Sequence, residues 1–180
     1  MKQNKVDLTI KITTGILLAA LTWVIVGSIK EHVVTVGDTA PNFTIKTLNG
    51  AEVSPRSFGG KLLVLNFWAS WCGPCVQEMP SLVEFQKMFA SQGVVVLGIN
   101  VDRREDLYRN MVKRFQVSFE TAWDPRQNVS YEYGTYKFPE TYLIDRNGKV
   151  VVKYAGLPDV NGEWRPWTDP DIVKLVKSLL

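Results

Sequence analysis

Two cysteines, Cys72 and Cys75, are the residues of this 180-residue chain best suited to covalent chemistry. They flank Gly73-Pro74 and follow Phe67-Trp68-Ala69-Ser70-Trp71, so the pair joins the apolar run Leu62 to Phe67 to a segment that reads as helix, Val76 to Ala90. A thiol at a helix N-terminus meets unpaired backbone N–H groups and the positive end of the helix dipole, and both favour thiolate over thiol. Cys72 is therefore expected to be the nucleophile. Cys75 lies one helical turn further in, within reach of a disulfide and shielded by the turn itself. Such a pair can carry two electrons, Cys72 attacking and Cys75 resolving.

Three other uses of a Cys-X-X-Cys pair fit less well. A structural disulfide normally closes a longer loop, because a short loop removes little entropy from the unfolded chain. A zinc site needs two further ligands, and beyond these cysteines the chain has a single histidine, His32, far upstream, so no metal is expected. Attachment of a c-type haem needs histidine directly after the second cysteine, where this chain has Val76.

The elements that must hold the pair are readable around it. Leu62 to Phe67 and Val94 to Ile99 are near-continuous apolar runs, as expected of strands covered on both faces. Between them Met79, Leu82, Val83, Phe85, Met88 and Phe89 recur at helical spacing, and Ser91-Gln92-Gly93 ends the segment. Strand, helix and strand in this order predict a parallel pair with a right-handed crossover. The dithiol then sits at the C-terminal end of its strand, where open α/β sheets place their sites.

Hairpins are expected on both sides of this unit. Ala40 to Ile45, the turn Asn49-Gly50 and Ala51 to Val53 form one; Thr141 to Ile144 and Val150 to Tyr154, joined by Arg146 to Lys149, form the other. Arg103 to Phe115 reads as a surface helix with Leu107, Met111, Val112 and Phe115 as its buried stripe. Asp169-Pro170 caps a last helix from Asp171 to Leu180.

Composition is that of a globular chain, 46% hydrophobic and 22% charged with a net charge of +3, which is too slight and too scattered to argue for nucleic acid. From Ile12 to Ile29 there is no charged residue. A helix of that length rises about 27 Å, close to the hydrocarbon thickness of a bilayer. Lys2, Lys5 and Lys11 before the run outweigh Asp7, whereas Lys30 and Glu31 after it cancel, which predicts a cytoplasmic N-terminus. The expected organisation is a cytoplasmic segment over 1–11, a transmembrane signal anchor over 12–30, a tether over 31–40 with His32 at the membrane surface, and one folded domain over 41–180. A cleaved signal peptide is the alternative, although Val26-Gly27-Ser28 is a poor cleavage site.

Trp-Cys-Gly-Pro-Cys after a buried strand resembles the thioredoxin superfamily. Distant features match as well: Pro80, five residues after Cys75, and Phe138-Pro139-Glu140-Thr141 before Tyr142-Leu143-Ile144-Asp145, as in the family's cis-proline loop. The resemblance runs from about Pro41 to the C-terminus and is closest to the membrane-anchored TlpA/ResA/CcmG branch, which also carries a hairpin ahead of its core. It implies an α/β thioredoxin-like fold, a mixed central sheet flanked by helices with an added N-terminal β-hairpin, here preceded by one transmembrane helix.

The resemblance also implies roles. Cys72 and Cys75 form the redox-active disulfide. Trp71, Gly73 and Pro74 border the substrate, and a cis bond at Pro139 lets the backbone of Phe138 pair with an extended substrate segment. Where thioredoxins hold a buried aspartate this chain has Asn66, which cannot exchange a proton near neutral pH. ResA-like members use instead a glutamate three residues after the second cysteine, matched here by Glu78; Glu140 resembles a CcmG glutamate and is a second candidate. Glu78 has a plainer alternative as a solvated first-turn residue. Similarity to this branch implies a protein-disulfide reductase of the inner membrane facing the periplasm or cell exterior, without a cofactor. Its substrate would be a disulfide-containing protein, plausibly apocytochrome c in cytochrome c maturation, and its electrons would come from a transmembrane donor of CcdA or DsbD type. An oxidase or isomerase, or a redox-silent adaptor, are the competing readings.

Overall fold

The computed structural model describes residues 2–28 and 33–180, which divide into two units, Met1–His32 and Val33–Leu180. In the first, α1 (Lys2–Ser28) begins ahead of the uncharged run and takes in Lys2, Lys5, Asp7 and Lys11. Two of its hydroxyls bond back to their own helix, Thr14 Oγ1 to the Ile10 carbonyl at 2.7 Å and Thr22 Oγ1 to the Leu18 carbonyl at 3.0 Å. Ile16, Leu17, Leu18, Leu21, Trp23 and Val24 are exposed. Among the described residues no helix is long and apolar enough to cross a membrane. Ile29 and Lys30, the end of the expected span, and His32 lie outside them.

The second unit begins at Val33 rather than at Pro41. Val34 is fully buried and its N–H donates to the Tyr133 carbonyl at 3.1 Å, while the N–H groups of Gly37 and Ala40 donate to Val150 and Gly148 at 2.8 and 2.9 Å. Residues 33–40, expected as a tether, are thus held by backbone pairing and one apolar anchor.

The first hairpin is shorter than expected. β1 (Ile45–Lys46) pairs antiparallel with β2 (Glu52–Val53) around Gly50, whose φ of 86° requires the freedom of glycine. The next five strands, β3 (Leu62–Trp68), β4 (Val94–Asn100), β5 (Glu120–Trp123), β6 (Glu140–Ile144) and β7 (Val150–Ala155), form one sheet in the order β5-β4-β3-β6-β7. β3 runs parallel to β4 and antiparallel to β6, so the sheet is mixed, as expected. Every residue of β3 is buried, which explains why its sequence is almost continuously apolar.

Alternation along β3 sorts the core into two layers. Leu62, Val64 and Trp68 pack with Met79, Leu82 and Phe85 of α2 (Gly73–Phe89), and with residues of the last helix. Leu63, Leu65 and Phe67 face the other way, into a layer with Val34, Tyr133 and Tyr142. Asn66 belongs by parity to the α2 face. On β6 the same parity puts Thr141 on the α2 face and Glu140 and Tyr142 on the other.

Of the remaining helices, α3 (Glu105–Arg114) buries Tyr108 and Met111. Tyr108 replaces Leu107 at the centre of the expected stripe because its ring packs against Trp68, centroids 6.0 Å apart. A short helix, α4 (Asn128–Glu132), follows β5. A small hairpin, β8 (Asp159–Val160) with β9 (Glu163–Trp164), stands between β7 and the last helix α5 (Pro170–Ser178), whose first N–H groups are capped by Asp169 through a 2.9 Å bond from Asp171.

Candidate active site

The buried end of β3 delivers the chain into Ala69 to Cys72, and α2 starts immediately after. Cys72 is the N-cap of α2, and its Sγ accepts from the N–H of Cys75 at 3.2 Å. An N–H aimed at that sulfur favours negative charge on it once the disulfide opens. The two cysteines are joined in a disulfide with Cα atoms 5.2 Å apart. Cys72 retains 5% exposure and Cys75 none, so an incoming sulfur can reach the first and not the second. Gly73 and Pro74 are exposed beside it, and Pro80 lies inside α2.

Trp71, 64% exposed, cannot be a packing residue of the core. Its ring meets Phe138 edge-on with centroids 5.9 Å apart, making an apolar lip next to Cys72. An open groove of about 320 Å³ is lined by Trp71 together with Val101, Asp102, Arg103, Leu107 and Gln127. The Phe138–Pro139 peptide bond is cis. Among the described residues the backbone N–H and C=O of Phe138 have no hydrogen-bond partner, whereas the Pro139 carbonyl accepts from Gly156 at 2.9 Å.

Glu78 lies one turn beyond Cys75 on the same helix face and is fully buried, not solvated. Its Oε1 accepts from Asn66 Nδ2 at 2.9 Å and its Oε2 from Trp167 Nε1 at 3.0 Å. Burial raises its carboxyl and the two donated hydrogen bonds pull part of the way back, which leaves it at about 7. A group balanced in this way can exchange a proton at neutral pH, which Asn66 cannot. Asn66 Nδ2 also donates to Thr141 Oγ1 at 2.9 Å, leaving the buried Oδ1 of Asn66 without a partner.

Glu140, the second candidate, is placed differently. It is 5% exposed and pairs with Lys153 Nζ at 2.7 Å, on the face of the sheet opposite α2. Lys153 in turn donates to the Val34 carbonyl at 3.0 Å and sits over the Tyr142 ring. This carboxylate ties the start of the domain to the sheet.

Two groups at the site escaped the sequence reading. Asp102, fully buried just beyond β4, accepts from the Ser70 N–H at 3.0 Å, from Ser70 Oγ at 2.9 Å and from Asn100 Nδ2 at 2.8 Å, fixing the loop that presents Trp71 and Cys72. Trp167 comes from the polar segment after β9, where nothing in the local sequence marks it as an anchor for α2. Among the described residues no cluster of His, Cys, Asp or Glu could hold a metal.

Fold and site together define a thioredoxin-fold thiol:disulfide oxidoreductase. The chain belongs to the AhpC/TSA family, whose model matches residues 36–153. Within that class its likeness is to thiol-disulfide oxidoreductase ResA: it is 36% identical to ResA of Bacillus subtilis (strain 168) over 151 residues, 81% of this chain and 84% of that protein. It is 38% identical to ResA of Geobacillus thermodenitrificans over 137 residues, 75% and 79% of the two chains. The crystal structure of a thioredoxin-family thiol:disulfide interchange protein from Chlorobium tepidum superposes with a TM-score of 0.65 at 27% identity, covering 82% of this chain and 99% of that one.

Proposed function

We propose that the protein reduces protein disulfides on the extracytoplasmic side of a membrane. The observation that carries this reading is the pairing of a surface-edge sulfur at a helix N-terminus, Cys72, with a buried carboxyl near neutrality one turn below its partner, Glu78. The Cys72 thiolate attacks one sulfur of the substrate disulfide; that S–S bond breaks, a mixed disulfide forms, and the released substrate thiolate takes a proton from water. Glu78, as carboxylate, accepts the proton of the Cys75 thiol. Cys75 then attacks Cys72 Sγ, closing the Cys72–Cys75 disulfide and releasing the second substrate sulfur. Two electrons pass to the substrate and the chain is left oxidised.

Trp71 and Phe138 offer an apolar wall to the substrate, and the free backbone of Phe138 can pair with it in extended conformation. Gly73-Pro74 and the absence of a histidine inside the motif support reduction over oxidation. The uncharged run Ile12 to Ile29, part of which lies beyond the described helix, supports a signal anchor in the cytoplasmic membrane with positive flank inside. Resemblance to the TlpA/ResA/CcmG branch supports apocytochrome c as the substrate and a CcdA- or DsbD-type membrane donor as the source of electrons.

Equilibration of the Cys72–Cys75 pair with glutathione tests the direction. A potential near that of reducing thioredoxins, about −270 mV, is expected. A value near about −120 mV, that of a strong oxidant, would make the protein an oxidase.

A further inference from the structure

The segment between β7 and α5 is tied at both ends to the redox site. At its start the Gly156 N–H donates to the carbonyl of Pro139 at 2.9 Å. At its end Trp167 makes two bonds to α2: its backbone N–H donates to Ser81 Oγ at 3.1 Å, and its indole N–H donates to Glu78 Oε2 at 3.0 Å. Ser81 Oγ donates to the Glu78 carbonyl at 2.9 Å, so the two side chains that Trp167 holds belong to one helical turn. The ring itself is fully buried between Phe85 and Tyr154, with centroids 5.4 and 5.9 Å away, which leaves its N–H little freedom to point elsewhere.

An indole N–H can donate and never accept. It therefore stabilises the carboxylate of Glu78 over the carboxylic acid. Around the carboxyl stand Asn66 from β3, Thr141 from β6 through Asn66, and Cys75 and Ser81 on α2 itself; Tyr154 of β7 touches only the far side of the Trp167 ring. No cation contributes to the titration of Glu78, so removing one of two neutral donors removes a large share of what opposes burial.

We propose that Trp167 is a positioning residue for the exchange reaction, holding the Glu78 carboxylate beneath Cys75 through its indole N–H so that the β8–β9 segment sets the pH range in which Cys75 can resolve. The proposal rests on the reading of Glu78 as the proton acceptor, and the experiment separates the two. In the full-length oxidised protein, the indole ¹⁵N–H resonance of Trp167 and the ¹³C carboxyl resonance of Glu78 are followed through pH. Both are expected to titrate with a shared midpoint near 7, and the indole inflection to vanish in Glu78→Gln. In Trp167→Phe, which keeps a buried ring, the Glu78 midpoint is expected to move up by about one to two pH units, and the pH profile of mixed-disulfide resolution to move with it. A Trp167 resonance flat through neutral pH in the native protein would overturn the proposal without any variant having to fold, as would an unmoved Glu78 midpoint in a folded Trp167→Phe. If the midpoints move as stated while Glu78→Gln resolves mixed disulfides with an unchanged pH profile, the positioning stands as a contact but the catalytic reading of Glu78 fails, and the proposed role in exchange fails with it.

Discussion

Asn66 Nδ2 donates to Glu78 Oε1 at 2.9 Å, across the interface between the central strand and the helix that carries the cysteines. Both side chains are fully buried, and of the two only Glu78, on the helix, is titratable near neutral pH. The amide is suited to this: with Nδ2 toward Glu78 it supports the carboxylate, and with the amide turned over its unpartnered Oδ1 accepts from the protonated form.

That arrangement makes stability depend on pH with a definite sign. The carboxyl of Glu78 sits at about 7 in the folded protein against 4.5 for the free side chain, so between those values the folded state holds a proton that the unfolded state has lost. Stability contributed by this site is complete below about pH 4.5 and is lost as pH rises through 7, a change on the order of 3 kcal/mol. Urea unfolding of the oxidised protein at pH 5 and pH 8 is expected to give this difference for the native chain. Glu78→Gln is expected to remove most of it, and an equal pH slope in both proteins would contradict the burial of the charge.

Buried Glu140 pairs with half-buried Lys153 at 2.7 Å on the other face of the sheet. Removing the carboxylate leaves Lys153 with the Val34 carbonyl as its acceptor, at a cost of about 1–3 kcal/mol. Glu140→Gln is therefore expected to lower the denaturation midpoint while leaving the inflection near pH 7 in mixed-disulfide resolution where it is. Disappearance of that inflection would assign proton transfer to Glu140 instead.

Asp102 holds Ser70 by both its N–H and its hydroxyl, two residues ahead of the attacking sulfur. Asp102→Ala leaves those half-buried donors unpaired, which costs about 1–3 kcal/mol. Faster amide hydrogen exchange at Ser70, with little change in β6 and β7, is the expected signature of a loosened loop. Unchanged exchange at Ser70 would contradict the clamp.

The division of the chain at His32 and Val33 bears on the anchor. A chain starting at Val33 is expected to purify without detergent and to unfold at the same urea concentration as the full-length protein, and the full-length protein to stay with vesicles through a high-salt wash. Release of the full chain by salt would remove the anchor from the account.

Much of this was legible in the sequence because the two signals involved are strong. The apolar runs of β3 and β4 with helical periodicity between them fix the crossover, and the crossover puts Cys72 at a helix N-terminus. Asn49-Gly50 and Asn147-Gly148 marked turns that the structure makes, with Gly50 and Gly148 at φ of 86° and 77°. What was not legible was tertiary. β5 is short and half polar, and becomes a strand only by pairing with β4. Residues 33–40 looked like a tether because their partners, Tyr133, Gly148 and Val150, are about a hundred residues away. The separation of Glu78 and Glu140 onto opposite faces of the sheet depends on how α2 packs on β6, and the Trp167–Glu78 hydrogen bond is a contact across 89 positions.

Whether the Cys72–Cys75 pair performs disulfide exchange is tested most directly by insulin reduction under dithiothreitol, comparing the native chain with Cys72→Ser and Cys75→Ala. The native protein is expected to accelerate insulin precipitation, Cys72→Ser to do no better than dithiothreitol by itself, and Cys75→Ala, reduced beforehand and mixed with insulin after removal of dithiothreitol, to accumulate a mixed disulfide at Cys72. Equal acceleration by the native chain and Cys72→Ser would mean that this sulfur does not carry the reaction.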